Sequence, residues 1–248
     1  MLIGEVGLES TLWVSVGTLV FLGWVLFAAP SGQRRDVLAA FGLIVAGAFS
    51  GGLAHGFIAS GGLALSSLGA LAGGAAGLAL SALVWRWRTL EMADLVVPGG
   101  IAGLAVARLG CLFDGCDFGR PAQVGMAVIY DRDTRAWAYH VVEYELSPAS
   151  PVSLAVHPFA AYLAIWGLIS AAMGEVIRRR TGTAGYGALT GAALFLVGGG
   201  VIEWWREPAT VPNLVEGLSV YPFIYWIGAA VVVVMGWNLT RNKPQDLR

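Results

Sequence analysis

Seven apolar runs, each long enough to cross a bilayer, set the terms for any fold this chain can adopt. They lie at about 10–29, 37–59, 62–84, 94–113, 157–177, 185–205 and 220–239. A helix needs about 17–25 apolar residues to span the hydrocarbon core. Lipid offers no water to a bare backbone, so each run is expected to be helical. The chain has 248 residues, 57% hydrophobic and 12% charged, with a single lysine, Lys243. A soluble domain of that size has no interior able to hide so much apolar surface. The pattern predicts an all-α integral membrane protein with seven transmembrane helices. One transmembrane domain, 1–248, is expected, and within it a small insertion, 114–156, between the fourth and fifth helices. That insertion is too short for a core of its own. Acidic residues precede the first run and no small-residue cleavage pattern follows it, so it reads as a retained span and not a signal peptide.

Basic residues orient the bundle. Arg34 and Arg35 follow the first run, Arg86 and Arg88 the third, Arg178, Arg179 and Arg180 the fifth, and Arg241, Lys243 and Arg248 the seventh. If the spans alternate, all of these fall on one side. The other side holds Arg120, Arg132, Arg135 and Arg206 among many acids, including Glu5, Asp114, Asp117, Glu207 and Glu216. Positive charge marks the cytoplasmic face, so the N-terminus is expected outside and the C-terminus inside. No basic patch suggests a nucleic-acid partner.

Glycines recur four apart at Gly47/Gly51, Gly69/Gly73/Gly77, Gly99/Gly103 and Gly187/Gly191, the spacing that lets helix backbones approach closely. Trp85, Trp87, Trp204, Trp205, Tyr221, Tyr225, Trp226 and Trp237 sit near expected span ends, where interfacial anchoring accounts for most of them. In the insertion, Val124 to Tyr130 and Tyr139 to Leu146 are rich in β-branched and aromatic residues, which predicts a short strand pair.

Polar chemistry concentrates where the fourth run ends, in Ala107-Arg108-Leu109-Gly110-Cys111-Leu112-Phe113-Asp114-Gly115-Cys116-Asp117-Phe118-Gly119-Arg120. His157-Pro158 opens the fifth run on the same outer side, Glu203 and Arg206 stand three apart at the outer end of the sixth, and His55 ends the second. Ionisable groups within spans are expensive and usually functional. No comparable set is expected at the cytoplasmic end, where the charges read as loop arginines. A guanidinium matches phosphate bidentately, which suits a phospholipid headgroup. The alternative for Arg108 is an ion pair with Glu203 that holds helices together; for His55 it is a water-exposed interfacial histidine. Cys111 and Cys116 leave a bridge, two idle thiols or a metal pair open. Zinc usually takes about four ligands and only His55, His140 and His157 could add to the thiols, so no metal is expected. No cofactor is expected either. A thiol activated by Arg108 one turn away is a further option.

The run Arg108-Leu109-Gly110-Cys111…Gly115…Gly119-Arg120 resembles the signature of the bacterial prolipoprotein diacylglyceryl transferase family. His157-Pro158-Phe159-Ala160-Ala161-Tyr162 is similar to that family's His-Pro…Tyr box, and Glu203-Trp204-Trp205-Arg206-Glu207-Pro208 to its Glu-aromatic-aromatic-Arg-x-Pro segment. The resemblance implies an inner-membrane enzyme that moves the diacylglyceryl group of phosphatidylglycerol onto a lipoprotein cysteine and releases glycerol phosphate. Its partners would be that phospholipid and a lipoprotein precursor, met at the periplasmic face. The implied catalytic set is Arg108, His157, Glu203 and Arg206. The implied substrate-binding set is Gly110, Cys111, Asp114, Gly115, Gly119, Arg120 and Tyr162. Arg108 would hold the phosphate and stabilise the leaving group; Gly115 and Gly119 would let the loop fold back.

Several positions depart from the family pattern. Gly61 to Ser67, with Ser66, replaces a His or Tyr before Gly-Gly; Gly199 replaces an Arg; Cys111 replaces an Asn; Leu163 replaces a Glu; and Trp13-Val14 lacks a nearby Tyr. A lost arginine removes charge-assisted hydrogen bonds of about 1.5–3 kcal/mol each. The competing expectation is therefore a catalytically silent paralogue that binds phospholipid or lipoprotein for a partner. A retinal protein is excluded, because Lys243 lies beyond the last run and no Schiff base could form within the bundle. Polar groups gathered at one surface also count against a transporter, whose site lies near the midplane.

Overall fold

The computed structural model describes residues 8–60, 67–85, 89–208, 213–215 and 218–241. Helices are α1 (Leu8–Ala28), α2 (Arg34–Ser60), α3 (Ser67–Trp85), α4 (Thr89–Ala107), α5 (Leu109–Asp114), α6 (Arg135–Glu143), α7 (Phe159–Thr181), α8 (Tyr186–Ile202) and α9 (Tyr221–Arg241). A two-stranded antiparallel ribbon, β1 (Asn213–Val215) with β2 (Leu218–Ser219), precedes α9. Among the described residues, five segments are long and apolar enough to cross a membrane: Arg34–Ile58, Leu90–Asp114, Phe159–Thr181, Tyr186–Trp205 and Tyr221–Asn238. Leu12–Ala28 and Ala72–Val84 are shorter apolar helices at the places of the first and third expected spans. The protein is an apolar, helical, multi-pass membrane protein. Glu5, Ser66, Arg86, Trp87, Arg88, Glu216, Lys243 and Arg248, which entered the orientation, anchoring and motif arguments, lie outside the described residues.

Apolar side chains face outward along the bundle, as with Leu19, Phe27, Ile58, Leu83 and Val233. That is the arrangement expected in lipid, where burying such groups brings no gain and association depends on close packing. Glycine supplies it. A side chain on Gly47 would strike the backbone of Gly73, and one on Gly51 that of Gly69, so α2 and α3 meet main chain to main chain. Gly103 meets the Gly17 carbonyl between α4 and α1, and Gly174 meets Gly187 and Gly191 between α7 and α8.

The end of the bundle that carries Arg108 departs from plain helix. Arg108 keeps helical dihedrals but separates α4 from α5, with its N–H on the Leu104 carbonyl at 3.0 Å. Gly115 then closes α5 in the left-handed region (φ 61°), its N–H returning to the Cys111 carbonyl. A Cβ there would meet the Tyr130 ring at 3.1 Å, so both conformation and space require glycine.

The insertion corrects the expected strand pair. Residues 124–127 make a turn, the Ala127 N–H returning to the Val124 carbonyl at 2.9 Å, and the stretch beyond it pairs elsewhere: Val128 bridges Val156 and Asp131 bridges Val152. The second expected strand is mostly helix, α6. Asp133 turns the chain with a positive φ of 69°, and the Thr134 hydroxyl accepts the Trp137 N–H at 3.3 Å as an N-cap. That cap, with Ala136 and His140 one turn apart on the buried face, outweighs the β propensity of Val141 and Val142. Phe118, Tyr130, Ala136 and Val156 form a small buried cluster, so the insertion does carry an apolar centre, built partly on its own two ends.

His140 is fully buried there, packed among Phe118, Tyr139 and Tyr144. Its Nδ1 accepts the Leu154 N–H at 3.2 Å, which leaves the ring proton on Nε2. Burial holds the imidazole below the usual histidine range. Tyr139 and Tyr144 are both pushed up by burial and then by Glu207, Tyr144 to about 12, so neither titrates near neutrality. With the folded value lowered, the unfolded chain takes a proton that the folded one refuses. Stability should be complete above about pH 6.5 and fall as pH drops below it toward the folded value. Unfolding midpoints between pH 8 and 5 should show this slope in the wild type and lose it in His140→Phe.

Candidate functional site

Three short segments, far apart in sequence, are laced together by backbone hydrogen bonds at the Arg108 end of the bundle. The Gly119 N–H donates to the His157 carbonyl (3.2 Å), His157 N–H to Arg120 (3.0 Å), Arg120 N–H to Trp205 (2.9 Å) and Glu207 N–H to Phe118 (3.1 Å). Gly119 also bridges Arg206. A Cβ on Gly119 would sit 2.6 Å from both the His157 Cβ and its carbonyl oxygen, and 2.7 Å from the Trp205 oxygen. Only glycine allows this crossing. The three motifs singled out in the sequence are thereby one structure.

The charged groups gather beneath it. The α8 helix ends at Ile202, and Glu203–Trp205 forms a single 3-10 turn; Arg206 leaves it in an extended conformation. Glu203 and Arg206 are thus neighbours through a turn, not along one helix face as the three-residue spacing suggests. Glu203 is 2% exposed and Arg206 5%. The Arg206 Nε and Glu203 Oε2 lie 3.1 Å apart. They are not aligned for a hydrogen bond, so Nε and both Glu203 oxygens are buried without a hydrogen-bond partner among the described residues. Unsatisfied buried polar atoms of this kind need an explanation, and a bound group is one.

Arg206 Nη2 donates instead to Asp117 Oδ2 (3.1 Å), and Arg108 Nη1 donates to the same oxygen (2.7 Å). The Arg206 guanidinium lies over the Phe159 ring at 4.4 Å and the Tyr221 ring at 5.2 Å, positions that favour a cation. Arg108 is the more open of the two arginines, its side chain 21% exposed against 6%. The alternative left open for Arg108, an ion pair with Glu203, is not what forms: Asp117 is the direct partner, and Glu203 acts on Arg108 only at longer electrostatic range.

The other expected residues divide. Arg120 donates through Nε to the Arg206 carbonyl (3.3 Å). His157 turns its side chain to the Tyr162 hydroxyl (Nδ1···O 3.2 Å) and the Trp205 ring (6.4 Å between centroids), away from direct contact with either arginine. Beside them, Tyr162, Ile165, Trp166, Ile202 and Trp205 line an open, largely apolar groove of about 400 Å³. Gly110 is buried on α5, and Asp114 ends that helix. Cys111 and Cys116 are not joined by a disulfide. His55 stands apart on α2, its Cβ against Gly69 of α3.

Sequence reading missed the hub of the site. Asp117 had a signal: it is an acid between two arginines, beside a phenylalanine, in a chain almost without lysine. Glu207 was also missed; it accepts from the hydroxyls of Tyr139 (3.2 Å) and Tyr144 (3.1 Å) and so ties the insertion to the site. The opposite end is not plain loop arginine either. Asp94 on α4 is 5% exposed and accepts the N–H groups of Gly185 and Ala188, each at 2.7 Å. It caps α8 from a neighbouring helix and neutralises its positive end. Glu175 there is bound by Arg178 and Arg179.

Comparison with known proteins agrees with this geometry. Residues 52–238 match the family model described as prolipoprotein diacylglyceryl transferase. A phosphatidylglycerol–prolipoprotein diacylglyceryl transferase 2 of Clostridium perfringens is 43% identical over 68 residues, 27% of each chain. The transferase of that name from Clostridium tetani is 26% identical over 177 residues, 71% of this chain and 64% of the relative. One from Dehalococcoides mccartyi is 34% identical over 77 residues, 31% of this chain and 30% of its own. The matched stretches thus span less than two thirds of each of these relatives. With three quarters of its length matched to one family model and that family's motifs interlocked in space, the chain belongs to the prolipoprotein diacylglyceryl transferase family.

Proposed function

We propose that this protein transfers the diacylglyceryl group of phosphatidylglycerol to the cysteine thiol of a lipoprotein precursor, at the outer leaflet of the bacterial inner membrane. The observation that carries the proposal is the convergence of Arg108 and Arg206 on a single carboxylate oxygen, beside buried atoms of Glu203 and Arg206 that make no hydrogen bond among the described residues. Two guanidiniums preset around one oxyanion suit a phosphate oxygen equally well. Seven spans, a periplasmic N-terminus and a cytoplasmic C-terminus put this end of one domain, 1–248, at the headgroup level, with 114–156 as its periplasmic cover.

In the step proposed, the peptide sulfur bonds to the glyceryl carbon and the bond from that carbon to the phosphate oxygen breaks. Its electron pair leaves with glycerol phosphate, where Arg108 stabilises the growing negative charge. The thiol proton goes to His157. In the tautomer whose Nδ1–H donates to the Tyr162 oxygen, Nε2 keeps the lone pair that receives it. Glu203 holds Arg206 in place electrostatically, and Asp117 fixes the spacing of the two arginines. Gly110, Cys111, Asp114, Gly115, Gly119 and Arg120 shape the loop over the headgroup. No cofactor or metal takes part.

Purified protein incubated with phosphatidylglycerol and a lipobox peptide should yield a peptide heavier by one diacylglyceryl group, seen by mass spectrometry. Lipid bound without any adduct would favour a silent paralogue that holds phospholipid for a partner. Such a reading draws on Gly199, where the space beside the backbone is filled by the Tyr225 ring.

A further inference from the structure

We infer that Tyr225 is a substrate-contacting residue of this site, its phenolic O–H donating a hydrogen bond to the anionic headgroup oxygen that Arg108 binds. The inference rests on the function proposed above and adds a group to it that the motifs do not contain.

Two stripes face each other at the outer end of the bundle. On α9, Tyr221 and Tyr225 are one turn apart and share a face. Gly199 near the end of α8 and Glu203 just beyond it are also four residues apart. Tyr221 packs under Arg206. One turn deeper, the Tyr225 ring lies on bare Gly199, where a Cβ would stand 2.6 Å from Cε1 and 2.9 Å from Cδ1. Phe195 closes the other side at 6.2 Å between ring centroids. Any side chain at 199 would expel the ring, so the glycine makes the room that the tyrosine occupies.

Where the hydroxyl lies is the telling point. With its ring seated on Gly199, one turn from Glu203, and Tyr221 one turn away under Arg206, the hydroxyl comes within electrostatic reach of Arg108, Glu203, Arg206 and Asp117. A guanidinium has protons to give and none to receive, so the phenol can accept from an arginine but cannot donate to one. Neither is its proton spent on the carboxylates. Among the described residues, both Glu203 oxygens are without a hydrogen-bond partner, and the hydrogen bonds to Asp117 come from Arg108 and Arg206. A donor held among charges, whose proton reaches no acceptor among the described residues, is suited to an incoming anion. The neighbouring Gly200–Trp226 contact makes the contrast. Trp226 uses the same glycine-on-ring packing but is exposed along the bundle surface, where an indole serves as an anchor.

Tyr225→Phe tests this directly, because it keeps the ring on Gly199 and removes only the O–H. Thioether formation should be measured against phosphatidylglycerol and peptide concentration separately, with the unfolding midpoint as a packing control. We expect kcat/KM for the lipid to fall by about 10- to 100-fold, with the peptide KM and the midpoint unchanged. A variant as active as the wild type would overturn the inference and leave the transferase reading intact. If the wild type itself forms no adduct, the transferase reading fails, and binding to nanodiscs containing phosphatidylglycerol then decides. About tenfold weaker binding by Tyr225→Phe would support the contact, and equal binding would overturn it.

Discussion

Asp117→Ala should destabilise the protein by about 3–5 kcal/mol, the cost of removing one partner from a buried ion pair. One carboxylate oxygen carries bonds from Arg108 and Arg206, at 2.7 and 3.1 Å. Removing it leaves two cations within a low-dielectric site. Arg206 suffers more, since its side chain is 6% exposed and its approach to Glu203 lacks hydrogen-bond alignment. Arg206 is also woven into the backbone crossing with Gly119, so its displacement would loosen the contacts among α5, α7 and the end of α8. Asp117→Asn keeps the shape and one acceptor but loses the charge, and should fall between the wild type and Asp117→Ala. Unfolding midpoints in one detergent and one lipid composition would check the order. A midpoint for Asp117→Ala equal to that of the wild type would mean that the arginines do not depend on this carboxylate.

Arg108→Ala should give the opposite balance, with a small loss of stability and a large loss of activity. Arg108 is the more open arginine, and without it Asp117 still has Arg206. The guanidinium is expected to bind the phosphate through charge-assisted bonds of about 1.5–3 kcal/mol each, an interaction that strengthens as charge grows on the leaving group. Losing about 3 kcal/mol of that stabilisation corresponds to roughly a hundredfold in rate. Thioether formation should therefore drop by at least that factor while the unfolding midpoint moves less than in Asp117→Ala. Arg108→Lys keeps a cation but not the planar fork, and should recover only part of the rate. Equal rates for Arg108→Ala and wild type would remove the phosphate-holding role.

Much of this was legible in the chain. Local, repetitive signals translate directly: apolar runs became helices, and glycines four apart became backbone contacts between α2 and α3 and between α7 and α8. The three polar motifs also announced that they belonged together, because each begins or ends an apolar run on the same side. Asp117 was harder, since its role depends on two arginines meeting through space, one of them 89 positions away in sequence. Tyr225 read as an interfacial anchor because a ring near a span end usually is one; only the bare face of Gly199 shows which way it turns. The Tyr139–Leu146 stretch was misread for a local reason. Its β-branched residues spoke for a strand, while the Thr134 cap and the buried Ala136/His140 face carried more weight. Asp94 was invisible to any reading of one segment, as it caps a helix that begins some 90 residues later.

Native mass spectrometry of the purified protein with mixed phosphatidylglycerol and phosphatidylcholine tests most directly whether this cluster is a headgroup site. The wild type should retain phosphatidylglycerol in preference, and Arg108→Ala, folded by its unfolding midpoint, should retain neither selectively. The same phosphatidylglycerol occupancy in both proteins would contradict the assignment of the arginine cluster to the lipid phosphate.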